Sequence, residues 1–212
     1  MRDEAEADAA MPEAVSPAEP AVLGLGNAVE RLVISLPPKE RACVLLKDVF
    51  DYSLEEIAKL VDTTAGGVKA ALNRGRTKSA SSPAPSQPAR SANPELARIM
   101  QLYVDHFNRR DWDGVRELVG ADARLAVADR FAGNFGEAPY FFNYNRWPWP
   151  WKLALGELDG GPVVIIQRGV DTWTCYSAIR MNVSGQRIAS IMDYIHCPCV
   201  LSAAGTVTVA NT

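Results

Sequence analysis

Titratable side chains near the end of the chain are the ones best placed to do acid–base chemistry. Asp193 and His196 lie three apart at the end of an apolar run, and Tyr176 and Arg180 share a face of the run before it. An acid or base inside an apolar pocket has a shifted pKa, and this can make it catalytic. Residues three apart on a strand point to opposite faces, so Asp193 and His196 share a pocket only if the strand ends or bulges before Cys197.

A structural role competes with this interpretation. Asp193 could pair with Arg180 across two strands, while His196 caps the edge of the sheet. We favour this alternative and predict no catalytic residue, but keep Tyr176, Arg180, Asp193 and His196 as candidate pocket residues.

An aromatic segment at 147–151, with the sequence WPWPW, precedes these strands, and four more aromatic residues lie at positions 140–144. It could form the lid of a pocket, with Trp149 as a candidate pocket residue, or a docking surface for another domain. It could equally close one end of the domain with its own core. The sequence favours neither.

A metal site is a further candidate at His196-Cys197-Pro198-Cys199. It offers three crowded ligands, and no second cluster stands at zinc-site spacing. We expect free thiols there, and predict neither a metal nor a cofactor.

A second kind of chemistry, DNA reading, is indicated between Thr63 and Lys78, where every charge is basic. Short residues from Thr64 to Gly67 would let a backbone approach the major groove. Lys69 and Asn73, four apart, share an outward face and could reach base edges. The cations that follow suit phosphates, namely Arg74, Arg76 and Lys78.

Four short helices are predicted to position these residues. The first carries Val29 and Leu32 and stops at Pro37-Pro38, and the second has Pro38 as its first residue with Ala42, Leu45, Leu46 and Val49 on one face. Ser53 with Glu56 forms a capping box that starts the third, and Asp62-Thr63-Thr64 leads into the fourth. The tight turn between the last two is helix-turn-helix geometry.

The motifs of this segment resemble region four of extracytoplasmic-function sigma factors. The resemblance covers about 28–78 and rests on LPPKER at 36–41, DVFDYSLEEIA at 48–58 and VKAALNRGR at 68–76. It implies reading of the −35 promoter element, with base contacts near Lys69, Ala70 and Asn73, and contact with the flap of RNA polymerase core. Gly66-Gly67 departs from the family, which more often has a bulkier pair.

Beyond a proline-rich stretch, helices are predicted from Pro94 and Asp111, followed by strands at 124–129, 151–158, 162–170, 172–182 and 186–195. Turns at Asp159-Gly160-Gly161 and Ser184-Gly185 indicate antiparallel hairpins. The pattern resembles the SnoaL-like branch of the nuclear-transport-factor-two-like fold, an α+β cone with an apolar pocket. Behind sigma region four, this resemblance implies a fused regulator.

The predicted fold is therefore an all-α helix-turn-helix domain followed by an α+β cone. We expect an acidic, disordered segment at 1–26, the DNA-binding domain at 27–78, a Pro/Ser/Ala linker at 79–92, the SnoaL-like domain at 93–201 and a frayed tail at 202–212. The net charge of −3 hides the basic segment. Without a signal peptide, or an apolar run of the roughly 20 residues that span a bilayer, the sequence predicts a cytoplasmic protein without a membrane partner.

The predicted function is regulation of transcription initiation, with promoter DNA and polymerase core as partners. No upstream segment is long enough for sigma region two, so we expect a fragment of a longer protein or a reduced form, and a partner in region two or a second copy. The alternative is a SnoaL-like isomerase, cyclase or hydrolase with an accessory DNA-binding segment.

Overall fold

The computed structural model describes residues 28–81 and 93–210. The predicted acidic segment at 1–26 and the linker from 82 to 92 lie outside the described residues. Within the described ranges the chain has a helical region followed by a sheet-rich C-terminal region.

The helical region contains the predicted helices. Helix α1 spans 28–35 and is followed by α2 (Pro38–Asp48), α3 (Leu54–Leu60) and α4 (Ala65–Ser81). Pro38 is at the start of α2, where its missing N–H costs nothing. The predicted capping box is confirmed, because the Ser53 side chain accepts from the backbone N–H of Glu56 and the Glu56 side chain accepts from that of Ser53.

Two details of this region differ from prediction. The buried residues of α2 are Glu40 and Cys43, whereas Val49, predicted on the inner face, is 66% exposed. The prediction was wrong because α2 turns the Cys43 side toward α4, a choice that helical spacing alone does not make. Helix α4 continues to Ser81 and so includes the first three residues of the linker predicted to begin at 79.

The C-terminal region begins with α5 (Pro94–Asn108) and α6 (Trp112–Leu118). The strands are β1 (Val119–Val127), β2 (Phe131–Asn134), β3 (Trp151–Leu158), β4 (Gly161–Arg168), β5 (Thr174–Ser184), β6 (Arg187–Asp193) and β7 (Val207–Val209), with short helices α7 (Tyr140–Asn145) and α8 (Cys199–Ser202). They form one sheet in the order β2-β1-β6-β5-β4-β3-β7.

Both predicted hairpins are confirmed. Leu158 pairs with Gly161 across a two-residue turn in which Asp159 and Gly160 have φ of 52° and 75°. These positive φ values suit a tight turn whose twist matches that of the strands. The sheet is mixed, because β1 pairs with β6 in parallel. The tail is not frayed throughout, since β7 pairs with β3.

The sheet buries residues on both faces. One face packs on α5, α6 and α7 around Tyr103, Phe107 and Ile179. The other carries a second core that includes Val163, Ile165 and Tyr194, and Val33 of α1 belongs to it. The first helix of the segment predicted to read DNA therefore packs on the C-terminal sheet.

No helix within residues 28–81 and 93–210 is both long and apolar enough to cross a membrane.

Candidate nucleic-acid interface and C-terminal cavity

The packing of helix α4 against the neighbouring helices determines which of its faces is exposed. Val68, Ala71 and Leu72 are buried against Ile57 and Cys43 of the neighbouring helices. At the start of the helix, the Thr64 side chain accepts a hydrogen bond from the backbone N–H of Gly67 at 3.1 Å. This bond caps the start of α4.

The opposite face of α4 is exposed. Lys69, Ala70 and Asn73 are exposed, and within the described ranges the side chains of Lys69 and Asn73 have no hydrogen-bond or ion-pair partner. A cation and a carboxamide one helical turn apart, with a small residue beside them, suit contact with base edges in a major groove.

The three cations predicted to contact phosphates are held by carboxylates of α2. Arg74 and Lys78 each lie 2.8 Å from the Glu40 carboxylate, and Arg76 binds Asp48. The hydrogen bond from Lys78, followed by that from Arg74, holds the pKa of Glu40 below its usual value. The guanidinium and ammonium groups remain about half exposed, so they can still approach phosphate oxygens.

Helix α2 is clamped to the turn between β1 and β2. The Arg41 guanidinium donates to both oxygens of Asp129, at 3.2 and 2.5 Å. The Cys197 thiol donates to the same carboxylate at 3.1 Å. Asp129 adopts a φ of 64°, which Asp tolerates better than most residues, and this turn directs the carboxylate toward α2.

A second contact joins α1 to the sheet. Glu30, 5% exposed, accepts from the Arg180 guanidinium at 2.6 and 3.1 Å and from the Tyr194 hydroxyl at 2.6 Å. Because few water molecules reach this pair, loss of either partner would leave an uncompensated charge.

Asp193 lies on the other face of the sheet and is fully buried. Its Oδ2 accepts from the hydroxyls of Tyr140 and Tyr144 at 2.7 and 2.6 Å, and its Oδ1 accepts from the backbone N–H of Ile195. Burial raises the pKa of Asp193 to about 6, although these three hydrogen bonds oppose the shift. The hydroxyl of Tyr103 extends the network, 3.2 Å from that of Tyr140.

A cavity of about 460 Å³ opens beside this network. Its walls are mostly apolar and aromatic and include both tyrosines that hold Asp193, and its polar side chains are Arg130, Asn143 and His196. The remaining lining residues are Leu125, Val127, Phe131, Ala138, Pro139, Trp147 and Ile195. Its volume is within the usual range for small-molecule sites.

Of the candidate pocket residues, His196 lines this cavity. Strand β6 ends at Asp193, so the turn that follows brings His196 to the cavity wall. Asp193 lies behind Tyr140 and Tyr144. The predicted pairing of Asp193 with Arg180 is wrong, because Arg180 lies opposite Met192 on the other face of the sheet and binds Glu30.

Tyr176 and Arg180 do not share a face. The register between β4 and β5 shifts after Ile166, so that Ser177 and Cys175 pair with consecutive residues and Tyr176 is a bulge. The bulge turns Tyr176 to the α5 side, where it contacts Trp147 and Trp149. Trp149 therefore lies beside the cavity lining, with its buried Nε1 atom unpaired among the described residues.

Some aromatic residues between 140 and 151 belong to the core, and others line the cavity. Phe141 and Trp151 are buried in the core, Trp147 lines the cavity, and Tyr144 belongs to both. Sequence reasoning missed Glu30, Asp129, Tyr140 and Tyr144 as functional candidates. Tyr140 and Tyr144, four apart as on one helical face, carried a signal that the long, aromatic-rich loop obscured.

All four cysteines are free thiols. Cys197 is buried and bound to Asp129, whereas Cys199 is exposed at the start of α8.

Helices α3 and α4 form a helix-turn-helix whose last helix presents an exposed polar face, and this segment is similar to a known family. Residues 26–78 match the family described as Sigma-70, region 4. Over 54 residues the chain is 35% identical to the ECF RNA polymerase sigma factor SigW of Bacillus subtilis (strain 168). The matched segment covers 26% of this chain and 29% of SigW. The chain thus spans under a third of the length of that relative.

Two solved structures are also similar. The Mycobacterium tuberculosis extracytoplasmic function sigma factor SigJ aligns with 82% of this chain and 63% of its own, at 14% identity and a TM-score of 0.39. A proposed ketosteroid isomerase from Kribbella flavida DSM 17836 aligns with 47% of this chain and 76% of its own, at 18% identity and a TM-score of 0.36.

Proposed function

We propose that this protein regulates bacterial transcription initiation by reading the −35 promoter element with helix α4. In this proposal residues 27–78 form the DNA-binding domain, and residues 93–201 form a SnoaL-like cone that regulates it. The observation that carries the proposal is the exposed, unpaired face of Lys69, Ala70 and Asn73 on a helix within the sigma region 4 match.

The contacts with α1 and α2 support a regulatory role for the C-terminal region. Glu30–Arg180 and Arg41–Asp129 attach the first two helices of the DNA-reading segment to the sheet, while Lys69 and Asn73 stay exposed. The C-terminal region would therefore control the orientation of the segment on polymerase or promoter, without covering α4 itself.

A second exposed surface supports the core polymerase flap as a partner. Val49, Phe50 and Tyr52 follow α2 and are 66, 65 and 40% exposed. Apolar side chains grouped at one turn are typical of a protein-binding surface. Sigma region two on another segment, or a second copy of the chain, would complete the assembly.

The test is binding of the full chain to −35-like and scrambled duplexes at two salt concentrations. Lys69→Ala and Asn73→Ala should lower affinity for the preferred duplex by about tenfold and relax selectivity, since a good base contact is worth ~1–3 kcal/mol. Arg74→Ala should weaken binding to all duplexes and reduce the salt dependence. The exposed Arg98→Ala, on α5, is the charge-matched control.

Equal affinity of wild type and Lys69→Ala for every duplex would refute base reading by α4. If DNA binding needs core polymerase, the same variants are compared in the presence of polymerase. The expected order of their duplex affinities is then unchanged.

A second candidate function is acid–base catalysis in the cavity, favoured by the Tyr140–Asp193–Tyr144 network at its wall. The isomerase, cyclase or hydrolase classes would each need an acid or base at the cavity surface. Turnover of a substrate that Asp193→Asn abolishes without loss of folding would establish it.

A further inference from the structure

The mouth of the cavity carries an unpaired cation. The Arg130 guanidinium has no hydrogen-bond or ion-pair partner among the described residues and lies close enough to His196 to help lower the pKa of that imidazole, after burial. The neighbouring Asp129 carboxylate attracts Arg130 electrostatically, but it accepts its hydrogen bonds from Arg41 and Cys197, so the Arg130 N–H groups have no protein acceptor among the described residues. The Asn143 side chain, also unpaired in the described ranges, completes the polar mouth.

The interior of the cavity is apolar, in contrast to its polar mouth. Leu125, Phe131 and Ile195 contribute apolar surface and Trp147 an aromatic wall. The Tyr140 and Tyr144 hydroxyl protons are already donated to Asp193, so they leave no free donor for a polar group deep in the cavity. An occupant must therefore be apolar at its buried end and can be charged only at the mouth.

We infer that the cavity is a binding site for a small amphipathic carboxylate, with the carboxylate on Arg130 and His196 and the apolar body between Phe131 and Trp147. A guanidinium at the rim of an apolar pocket recognises a carboxylate through charge-assisted hydrogen bonds. An uncharged analogue loses these bonds and leaves the cation unpaired. This inference does not depend on DNA reading, because binding is measured without DNA or polymerase.

The test is calorimetric titration of the full chain with 1-naphthaleneacetate and with its neutral isostere 1-naphthaleneacetamide. The carboxylate should bind saturably and at least about tenfold more tightly than the amide, as expected for a charged hydrogen bond. Arg130→Gln should lower carboxylate affinity about tenfold and leave amide affinity unchanged. Arg124→Gln, which removes an exposed β1 cation outside the cavity, should change neither.

Two further experiments test whether the ligand binds in this cavity. The chain has two histidines, so the ring resonances of His196 should shift on titration while those of His106 stay in place. Asn143→Trp, at an exposed mouth position, should block both ligands without disturbing the core. Equal affinity for the two ligands, unchanged binding in Arg130→Gln or Asn143→Trp, or no saturable binding of either 1-naphthaleneacetate or decanoate at millimolar concentration would overturn the inference.

Discussion

Asp193 is a carboxyl whose environment favours its protonated form. The pKa of Asp193 is about 6 in the folded protein, raised by burial, against about 3.9 in an unfolded chain. Between these values the folded state holds a proton that the unfolded state releases. The stability contributed by this group is therefore greatest below about pH 4 and falls as pH rises through about 6.

Asp193→Asn should remove this dependence. The unfolding free energy of wild type minus that of the variant should fall by roughly 2 kcal/mol from about pH 4 to about pH 7. Denaturant unfolding at several pH values measures it, with the exposed Asp122→Asn as control. A difference that is constant with pH would mean that the Asp193 carboxyl does not titrate on folding.

Asp48 forms an ion pair with Arg76, one of the cations proposed to contact phosphate. The pair is about half exposed, so it adds little to stability, but it occupies a cation that phosphate would need. Asp48→Asn should raise affinity for all duplexes about threefold and increase the salt dependence, because a negative charge is lost beside the interface. An unchanged salt slope in duplex titrations would exclude phosphate contact by Arg76.

At the scale of the element, the start of α4 contains two glycines that differ in their surroundings. A Cβ on Gly66 would meet only the Thr64 hydroxyl at 3.8 Å, whereas one on Gly67 would come within 2.5 Å of the Thr63 hydroxyl. The glycine pair thus has one open position and one crowded position.

Gly66→Ala should raise the unfolding free energy by about 0.5–1 kcal/mol, since alanine restricts the unfolded chain and has the higher helix propensity. Gly67→Ala should gain less, because the Thr63 side chain must rotate away. Thermal unfolding of both variants tests this, and a larger gain at Gly67 would contradict the assigned geometry.

At the scale of the whole molecule, the attachment of α1 depends on one buried charged cluster. Arg180→Met would leave the Glu30 carboxylate buried with only the Tyr194 hydroxyl, at a cost of about 3–5 kcal/mol. Hydrogen exchange of the α1 amides should rise accordingly. Glu30→Gln combined with Arg180→Met should recover most of the protection, because the glutamine oxygen still accepts from Tyr194.

If the double variant exchanges as fast as Arg180→Met alone, the ion pair itself, and not the relief of a buried charge, holds α1 in place.

Two short turns connect the cavity to the Arg41–Asp129 contact that holds α2 on the sheet. Arg130 and His196 line the cavity, while their neighbours Asp129 and Cys197 bind each other beside Arg41. A ligand held at the mouth should therefore alter the clamp. Saturating 1-naphthaleneacetate should change hydrogen exchange at the start of α2 in wild type, and the effect should vanish in Arg130→Gln; no change in wild type would show that the turns move independently.

Local signals in the sequence determined the helical region and most strand positions. Proline at the start of α2, the Ser53–Glu56 capping box and the turn at Asp159-Gly160 each involve residues within a few positions of one another, so their geometry can be read along the chain. The inward face of α4 follows equally from the spacing of Val68, Ala71 and Leu72.

Which side chains meet across long sequence separations depends on how the elements pack. The Tyr176 bulge reversed a face that strict alternation assigned, because a register shift depends on the partner strand β4. Glu30 and Arg180 lie 150 residues apart, and Asp193 meets Tyr140 only because α7 folds over the sheet. Residue type and spacing predict a helix-turn-helix and an α+β region, whereas the cavity and the contacts that join the two regions arise from packing between distant segments, for which they carry no direct signal.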